Sequence, residues 1–177
     1  WEGVYFDINQ QGMDQMMADI ASMGGELFVM DDGWFGDKYP RKNDSSSLGD
    51  WVVDKNKLPD GVKGLLSDAK KHGIKFGIWI EPEMANTTSE LYEQHPDWVL
   101  KAPERDLVLG RGGTQVVLDL ANPAVQDFVF GVVDNLMTSY PEIDYIKWDA
   151  NMAVMNHGSQ YLTKENQSHM YLSLIHI

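Results

Sequence analysis

Short apolar segments that end in carboxylates recur along this chain, and their recurrence constrains the fold more than any other feature. Three of them are residues 26–30 before Asp31 and Asp32, residues 74–80 before Glu81 and Glu83, and residues 144–148 before Asp149. Their length and their β-branched and aromatic content are typical of buried strands. Amphipathic stretches separate them, so the strands are predicted to be parallel, with their acidic ends along one edge of a sheet.

The amphipathic stretches have the apolar spacing and the end signals of helices. Helices are predicted at residues 11–23, at residues 60–72 with Asp60 as N-cap, and from Asn122 and Pro123 onwards. A first strand is predicted at residues 4–8 and a short extra strand at residues 115–118. No Gly-x-Gly-x-x-Gly loop follows the first strand, so an α/β fold of the (β/α)8 TIM-barrel type is favoured. About the first four βα units are expected, which makes residues 1–177 one partial barrel domain, truncated at both ends.

Charge and cysteine content narrow the range of partners. The 177 residues carry a formal net charge of -13, which argues against nucleic acid and against an anionic membrane surface as partners. No apolar run is long enough to cross a bilayer, and the sequence has no cysteine. A neutral ligand is therefore expected, and the lack of cysteine is compatible with a cytoplasmic, bacterial-type location.

The last acidic segment places several polar side chains on one face. In a strand, side chains two residues apart point the same way, so Lys147, Asp149 and Asn151 are predicted to share a face. Lys147 then either supports a chemical role of Asp149 or neutralises it in a structural ion pair.

Acid pairs on neighbouring strand ends suit two kinds of chemistry. One is glycoside hydrolysis, in which one carboxylate attacks the sugar and another handles the proton of the leaving group. The other is a metal-dependent lyase or isomerase, with Asp31, Asp32 and Glu81 as ligands of a divalent cation. Five tryptophans lie at strand starts, strand ends or loops, namely Trp1, Trp34, Trp51, Trp79 and Trp98. They favour the first chemistry, because indole rings stack on the apolar faces of pyranoses.

Each of these residues also has a structural interpretation. Asp31 or Asp32 could cap the next turn, Glu81 could lie on the surface, and Trp79 could belong to the core. These interpretations do not explain why a polar cluster follows every predicted strand end.

Five segments follow one another in a distinctive order. They are Asp31-Asp32-Gly33-Trp34, Gly77-Ile78-Trp79-Ile80-Glu81-Pro82-Glu83-Met84, His95-Pro96-Asp97-Trp98, Leu118-Asp119-Leu120 and Lys147-Trp148-Asp149-Ala150-Asn151. Together they resemble the α-galactosidases of glycoside hydrolase family 36. The match runs from Trp1 to about His169, and the Lys-Trp-Asp-x-Asn motif is its most specific part.

The resemblance implies a fold and a set of roles. In that family the catalytic domain is a (β/α)8 barrel, and the aspartate of Lys-Trp-Asp is the nucleophile of a retaining double displacement. Asp149 is thus implied as the nucleophile, with no metal ion and no organic cofactor. The residues implied to bind the sugar are Trp1, Asp31, Asp32, Trp79, Arg111, Lys147 and Asn151. A lysine beside the nucleophile favours its charged form.

The function expected from the resemblance is the cleavage of terminal α-linked galactose from oligosaccharides such as melibiose and raffinose, by a protein that forms homo-oligomers at full length. The family's acid/base aspartate belongs to a later strand, which this sequence does not reach, so the fragment alone is expected to be inactive. Its last residues, 172–177, do not resemble the family and are expected to be a truncated or artefactual terminus. Two alternatives remain: a galactosyl-transferring synthase of the raffinose or stachyose type, and a non-catalytic sugar-binding module.

Overall fold

The computed structural model describes residues 1–152, 154 and 157–167. The segment 172–177, which is expected to be a truncated or artefactual terminus, lies outside the described residues. Helices and strands follow one another in this order: α1 (Gln10–Ser22), β1 (Leu27–Met30), α2 (Gly61–His72), β2 (Lys75–Ile80), β3 (Met84–Asn86), α3 (Glu90–Gln94), β4 (Gln115–Val117), α4 (Pro123–Ser139) and β5 (Tyr145–Trp148).

The central sheet is parallel, with the strands in the order β1-β2-β5. β2 lies in the middle: its Ile78 is in register with Met30 of β1 and with Ile146 of β5. Because the three strands run the same way, the acidic residues that follow them meet at one edge of the sheet. The prediction of an α/β fold with a parallel sheet is confirmed.

A second, two-stranded sheet lies between β2 and α4 along the chain. β3 and β4 pair antiparallel, with Met84 opposite Val117 and Asn86 opposite Gln115. The short strand predicted at residues 115–118 is thereby confirmed. The main-chain N–H of Asn86 also donates to the oxygen of Leu48 at 2.8 Å, which fastens this sheet to the long loop of residues 37–59.

The prediction of a strand at residues 4–8 is wrong. The amide groups of Val4 and Tyr5 both donate to the oxygen of Trp1, and Asp7 donates to Val4, so this segment forms local turns. Ile8 is buried and Val4 is partly buried against the core. Its apolar side chains are thus accommodated by packing without strand pairing, and the described part of the chain has three parallel strands instead of four.

The three predicted helices begin within one residue of the predicted starts, but the predicted cap of α2 is not formed. Asn9 and Asn122 accept hydrogen bonds from Gly12 and Ala124 and cap α1 and α4. Asp60 occupies the N-cap position of α2 but makes no cap hydrogen bond, contrary to the prediction. Its backbone is already helical, with φ -85° and ψ -4°, whereas a capping side chain requires an extended backbone.

The main hydrophobic core lies between the parallel sheet and the helices. Buried side chains of α1 and α2, among them Met13, Met17 and Leu65, pack there with Phe76 and Ile78 of β2. Met13 and Met17 are therefore core residues, as their helical spacing indicates. In the described residues, no helix is both long and apolar enough to span a membrane.

Candidate active site at the carboxyl edge of the sheet

A polar cavity of about 150 Å³ lies at the carboxyl ends of β1, β2 and β5. It is lined by Trp1, Asp31, Asp32, Arg41, Asp44, Trp79, Glu81, Arg111, Lys147, Asp149 and Asn151. All eight residues that the sequence assigns to the site are in this set. The structure therefore brings the predicted residues together, while the individual roles remain predictions.

Asp149 follows β5, and its carboxylate receives hydrogen bonds from two neighbours. Trp79 Nε1 donates to Oδ2 at 3.0 Å, and the side chain of Asn151 donates a second hydrogen bond. Partial burial raises the pKa of Asp149, but the two hydrogen bonds and the charge of Lys147 outweigh burial and hold the pKa below the usual 3.8. Asp149 is therefore ionised at neutral pH, which is the state that a nucleophile needs.

Lys147 forms its ion pair with Asp31. Its Nζ lies 2.7 Å from Asp31 Oδ2, so the contact crosses the sheet from β5 to the end of β1. The hydrogen bond to Asp31 raises the pKa of Lys147. Lys147 is thus not the structural ion-pair partner of Asp149, because its ion pair is with Asp31. The charge of Lys147 still lowers the pKa of Asp149.

Asp32 is buried and is held by an arginine from the long loop. Arg41 Nε lies 2.9 Å from Asp32 Oδ1, and Arg41 Nη2 lies 2.6 Å from Oδ2. Gly33 follows with φ +112°, a backbone conformation that residues with a Cβ rarely adopt. Glycine therefore lets the chain turn directly after Asp32.

Glu81 is a buried residue, so its interpretation as a surface residue is wrong. It is 2% exposed and accepts hydrogen bonds from the main-chain N–H of Asn151 at 2.9 Å and from its Nδ2 at 3.1 Å. Burial raises the pKa of Glu81 to about 7. Because the Asn151 amide nitrogen also donates to Asp149, Glu81 and Asp149 use both of its protons, which leaves Asn151 Oδ1 as an acceptor.

The tryptophans divide into two groups. Trp1 and Trp79 line the cavity; Trp1 is 47% exposed, whereas Trp79 is 2% exposed and stacks on Phe35. Trp79 thus belongs to the core and to the cavity wall at once. Trp34 is fully buried and donates from Nε1 to the oxygen of Trp79. Trp34, Trp51 and Trp98 do not line this cavity, so only two of the five proposed aromatic walls lie in a position to meet a sugar there.

Two residues of the long loop, Arg41 and Asp44, belong to the site and were not predicted. Asp44 Oδ1 lies 3.5 Å from Arg41 Nη2 and 3.6 Å from Arg111 Nη1. Arg111 has φ 44°, in the left-handed region that residues with a Cβ rarely adopt. The only available sequence signal was the length and polarity of the loop, which is typical of functional loops.

The carboxylates of the cavity are matched with cations and amide donors. Asp31, Asp32 and Glu81 all line it, yet they do not form a metal-binding group: within residues 1–152, 154 and 157–167, no cluster of three or more His, Asp or Glu could hold a metal ion. The geometry gives no support to the metal-dependent lyase or isomerase.

These features define a parallel α/β protein with a polar, carboxylate-rich cavity at the carboxyl edge of its sheet. The family model described as Melibiase matches residues 1–176, and the chain belongs to this family. The resemblance to family 36 α-galactosidases is thereby confirmed.

Individual relatives agree with this assignment. A probable α-galactosidase C from Aspergillus flavus is 47% identical over 161 residues, which are 87% of this chain and 21% of that protein. The α-galactosidase AgaA of Geobacillus stearothermophilus is 42% identical over 175 residues, 97% of this chain and 23% of that protein. The crystal structure of AgaA, a GH36 α-galactosidase, superposes with a TM-score of 0.88 at 41% identity and covers 97% of this chain and 23% of that chain. This chain therefore spans about a fifth of the length of these relatives.

Proposed function

We propose that the protein to which this chain belongs is a retaining α-galactosidase and that Asp149 is its nucleophile. The observation that carries the proposal is the position of the Asp149 carboxylate, which accepts a hydrogen bond from Trp79 and lines one cavity with cations, an amide and carboxylates that can bind a pyranose. The α-galactosidase relatives support the same activity.

The reaction proceeds in two displacements. Asp149 forms a bond to the anomeric carbon while the glycosidic C–O bond breaks, and the leaving oxygen takes a proton from a general acid. Water then attacks the galactosyl ester and gives up a proton to the same group, now a base, which releases galactose. The family resemblance assigns this acid/base to a later strand outside the present sequence. Within the chain, Trp79 and Asn151 orient the nucleophile.

Seven residues of the cavity bind the sugar. Asp31 and Asp32 accept hydrogen bonds from hydroxyl groups, whereas Lys147 and Arg111 donate to the sugar oxygens and Asn151 Oδ1 accepts. The rings of Trp1 and Trp79 cover apolar faces of the pyranose. In this proposal, the whole chain is part of a (β/α)8 barrel. The active site of such a barrel forms at the carboxyl ends of the strands.

The substrate is a neutral galacto-oligosaccharide of the melibiose or raffinose type. AgaA variants of the Geobacillus enzyme have been crystallised with raffinose and with stachyose. A neutral substrate also fits a chain with a net charge of -13, because it brings no further negative charge to the carboxylates.

A mechanism-based fluorinated galactoside tests the nucleophile in the full-length protein. The wild type is expected to gain the mass of one fluorogalactosyl group on the peptide that contains Asp149, and Asp149→Asn is expected to gain none. A label on another residue, or hydrolysis of an aryl α-galactoside by Asp149→Asn at the wild-type rate, would disprove the assignment.

The same preparation separates the alternatives. A galactosyl-transferring synthase would give trisaccharide with sucrose as acceptor, whereas the proposed hydrolase gives mainly free galactose. A sugar-binding module would bind galactosides without label or turnover.

A further inference from the structure

Arg41 is buried although it carries a charge and comes from a loop. Arg41 is 1% exposed, and it lies in the loop of residues 37–59 between β1 and α2. Burial of a guanidinium is costly unless its N–H groups find acceptors. The acceptors around Arg41 therefore indicate what this burial achieves.

One side of the guanidinium holds Asp32. Nε donates to Oδ1 at 2.9 Å, and Nη2 donates to Oδ2 at 2.6 Å, which is the two-pronged arrangement that fixes the plane of a carboxylate. Nε also lies 3.2 Å from Oδ2. Oδ1 thus has one arginine contact and Oδ2 has two, so Oδ1 keeps a lone pair for another donor.

The other side of the guanidinium is anchored to neighbouring segments. Nη1 donates to the oxygen of Ser46 at 2.9 Å and to Asn86 Oδ1 at 3.0 Å. Asn86 in turn accepts from the main-chain N–H of Leu48 and donates to the oxygens of Asp44 and Thr114. Arg41 therefore connects Asp32 to its own loop and to the β3–β4 sheet.

A lysine and two aromatic rings restrict Arg41 further. Lys57 Nζ donates to the main-chain oxygens of Arg41, Gly33 and Phe6, at 2.6, 2.7 and 2.9 Å. The main chain of Arg41 is thus tied to the turn that follows Asp32. The guanidinium carbon also lies 5.2 Å from the ring centre of Phe6 and 5.7 Å from that of Phe35.

We propose that Arg41 is a positioning residue for the sugar site, which holds Asp32 so that its Oδ1 receives a hydroxyl group of the bound galactoside. The proposal rests on the proposed function and deepens it, because it assigns a role in substrate binding to the long loop. Arg41 acts through Asp32 and transfers no proton or bond in the reaction.

Removal of the guanidinium has a predictable electrostatic effect. Burial raises the pKa of Asp32, and the hydrogen bonds and charge of Arg41 oppose this effect. Without Arg41 the burial is unopposed, so Asp32 becomes a weaker acceptor for a hydroxyl group and is free to rotate. A lysine at this position retains the charge but not the planar fork.

The test compares the wild type with Arg41→Lys in the full-length protein. We expect the Kd for 1-deoxygalactonojirimycin and the KM for an aryl α-galactoside to rise about 10- to 100-fold, with a smaller change in kcat. A series of monodeoxy aryl galactosides then identifies the hydroxyl. In the wild type, removal of the hydroxyl that binds Asp32 lowers kcat/KM strongly. In Arg41→Lys, removal of this hydroxyl lowers kcat/KM little further, whereas removal of any other hydroxyl has the same effect as in the wild type.

A matched control separates positioning from loss of stability. Asp50 lies on the same loop, is 7% exposed and accepts hydrogen bonds from the main chain of Glu90 and Leu91, outside the cavity. Asp50→Asn is expected to lower Tm without changing Kd or the deoxy-galactoside pattern. A folded Arg41→Lys variant with wild-type Kd, or one whose deoxy-galactoside series is weakened uniformly, would overturn the proposal.

A crystal structure of the wild type with 1-deoxygalactonojirimycin gives a test that needs no variant. We expect a ligand hydroxyl within hydrogen-bond distance of Asp32 Oδ1 and both Arg41 contacts retained. A ligand that avoids Asp32 overturns the roles of Arg41 and Asp32 but leaves the proposed activity and the nucleophile intact. A wild type that neither binds nor hydrolyses galactosides overturns both.

Discussion

Charged residues occur both in the cavity and on the helix pair α1–α2, but their surroundings differ. In the cavity, Asp32, Arg41 and Glu81 are 6%, 1% and 2% exposed. On the helix pair, Asp14 lies 3.1 Å from Lys71 and 2.6 Å from His72, and the Asp14 and Lys71 side chains are 33% and 60% exposed. Water can replace a lost partner on the helices, whereas the charges of Asp32, Arg41 and Glu81 depend on protein partners.

The exposed charges of the helix pair and the buried charges of the cavity therefore differ in what their removal changes. Ion pairs between helices contribute little, because exposed charges are screened by solvent and salt. Burial of a charge in the cavity costs free energy. Buried groups with perturbed pKa values cluster at functional sites. Substitutions in the cavity should therefore change activity and pH dependence, and those on the helices should change stability slightly.

The largest expected effect is that of Asp149→Asn. The amide retains the shape of the carboxylate but cannot form the galactosyl ester, so kcat/KM should fall by roughly 10⁴-fold or more. Tm should stay close to the wild-type value, since Asp149 is only partly buried. Steady-state kinetics on an aryl α-galactoside measures the first quantity and thermal unfolding the second. A loss of activity that accompanies unfolding would remove the distinction between the two regions.

Lys147→Met is expected to have the second-largest effect. The charge of Lys147 is one of the causes that hold the pKa of Asp149 below 3.8, so its removal raises that pKa. Asp149 then loses its charge at a higher pH, and the acid limb of kcat/KM against pH moves upward. Activity at neutral pH should fall about 100-fold, because Asp31 also loses its ion-pair partner. Lys147→Arg serves as the control and should retain the wild-type limb; identical limbs in all three proteins would contradict the account.

Much of the fold was predictable because its signals are local. The helix predicted at residues 60–72 is found at Gly61–His72, and the helix that Asn122 begins is found at Pro123–Ser139. Apolar spacing and cap residues determine both. The strand predicted at residues 4–8 was wrong because the same apolar residues also fit a turn that packs on the core. Residue type alone does not distinguish these two outcomes.

The site was predictable as a set of residues but not as a network. Strand ends and motifs brought all eight residues to one cavity. The partners of these residues depend on long-range contacts: Lys147 reaches Asp31 across the sheet, and Arg41 reaches Asn86 from a loop of irregular structure. Neither distance in the sequence nor residue type indicates such pairs, because the loop conformation is fixed only by the complete fold.

Glu81→Gln tests the cost of burying a charge at the cavity. Burial raises the pKa of Glu81 from 4.5 to about 7, so its contribution to stability is fully present below pH 4.5 and is lost as the pH rises through about 7. A neutral glutamine removes this dependence. The variant should therefore gain stability relative to the wild type between pH 4.5 and 7, up to roughly 3 kcal/mol above pH 7. Denaturant unfolding at several pH values measures the difference, and parallel profiles for the two proteins would refute the expectation.

Asp14→Asn should have the smallest effect, with the opposite dependence on pH. Hydrogen bonds from His72 and Lys71 lower the pKa of Asp14, so its contribution to stability is present above 3.8 and is lost as the pH falls through the lowered pKa. The variant should lower Tm at pH 7 by about 2 °C or less, with no change in kcat/KM, and should match the wild type at the most acidic pH. Asp60→Asn is the control, because the Asp60 side chain makes no cap hydrogen bond with α2. An Asp14→Asn variant that loses as much stability or activity as the cavity variants would show that the helix pair and the cavity do not differ as their solvent exposure indicates.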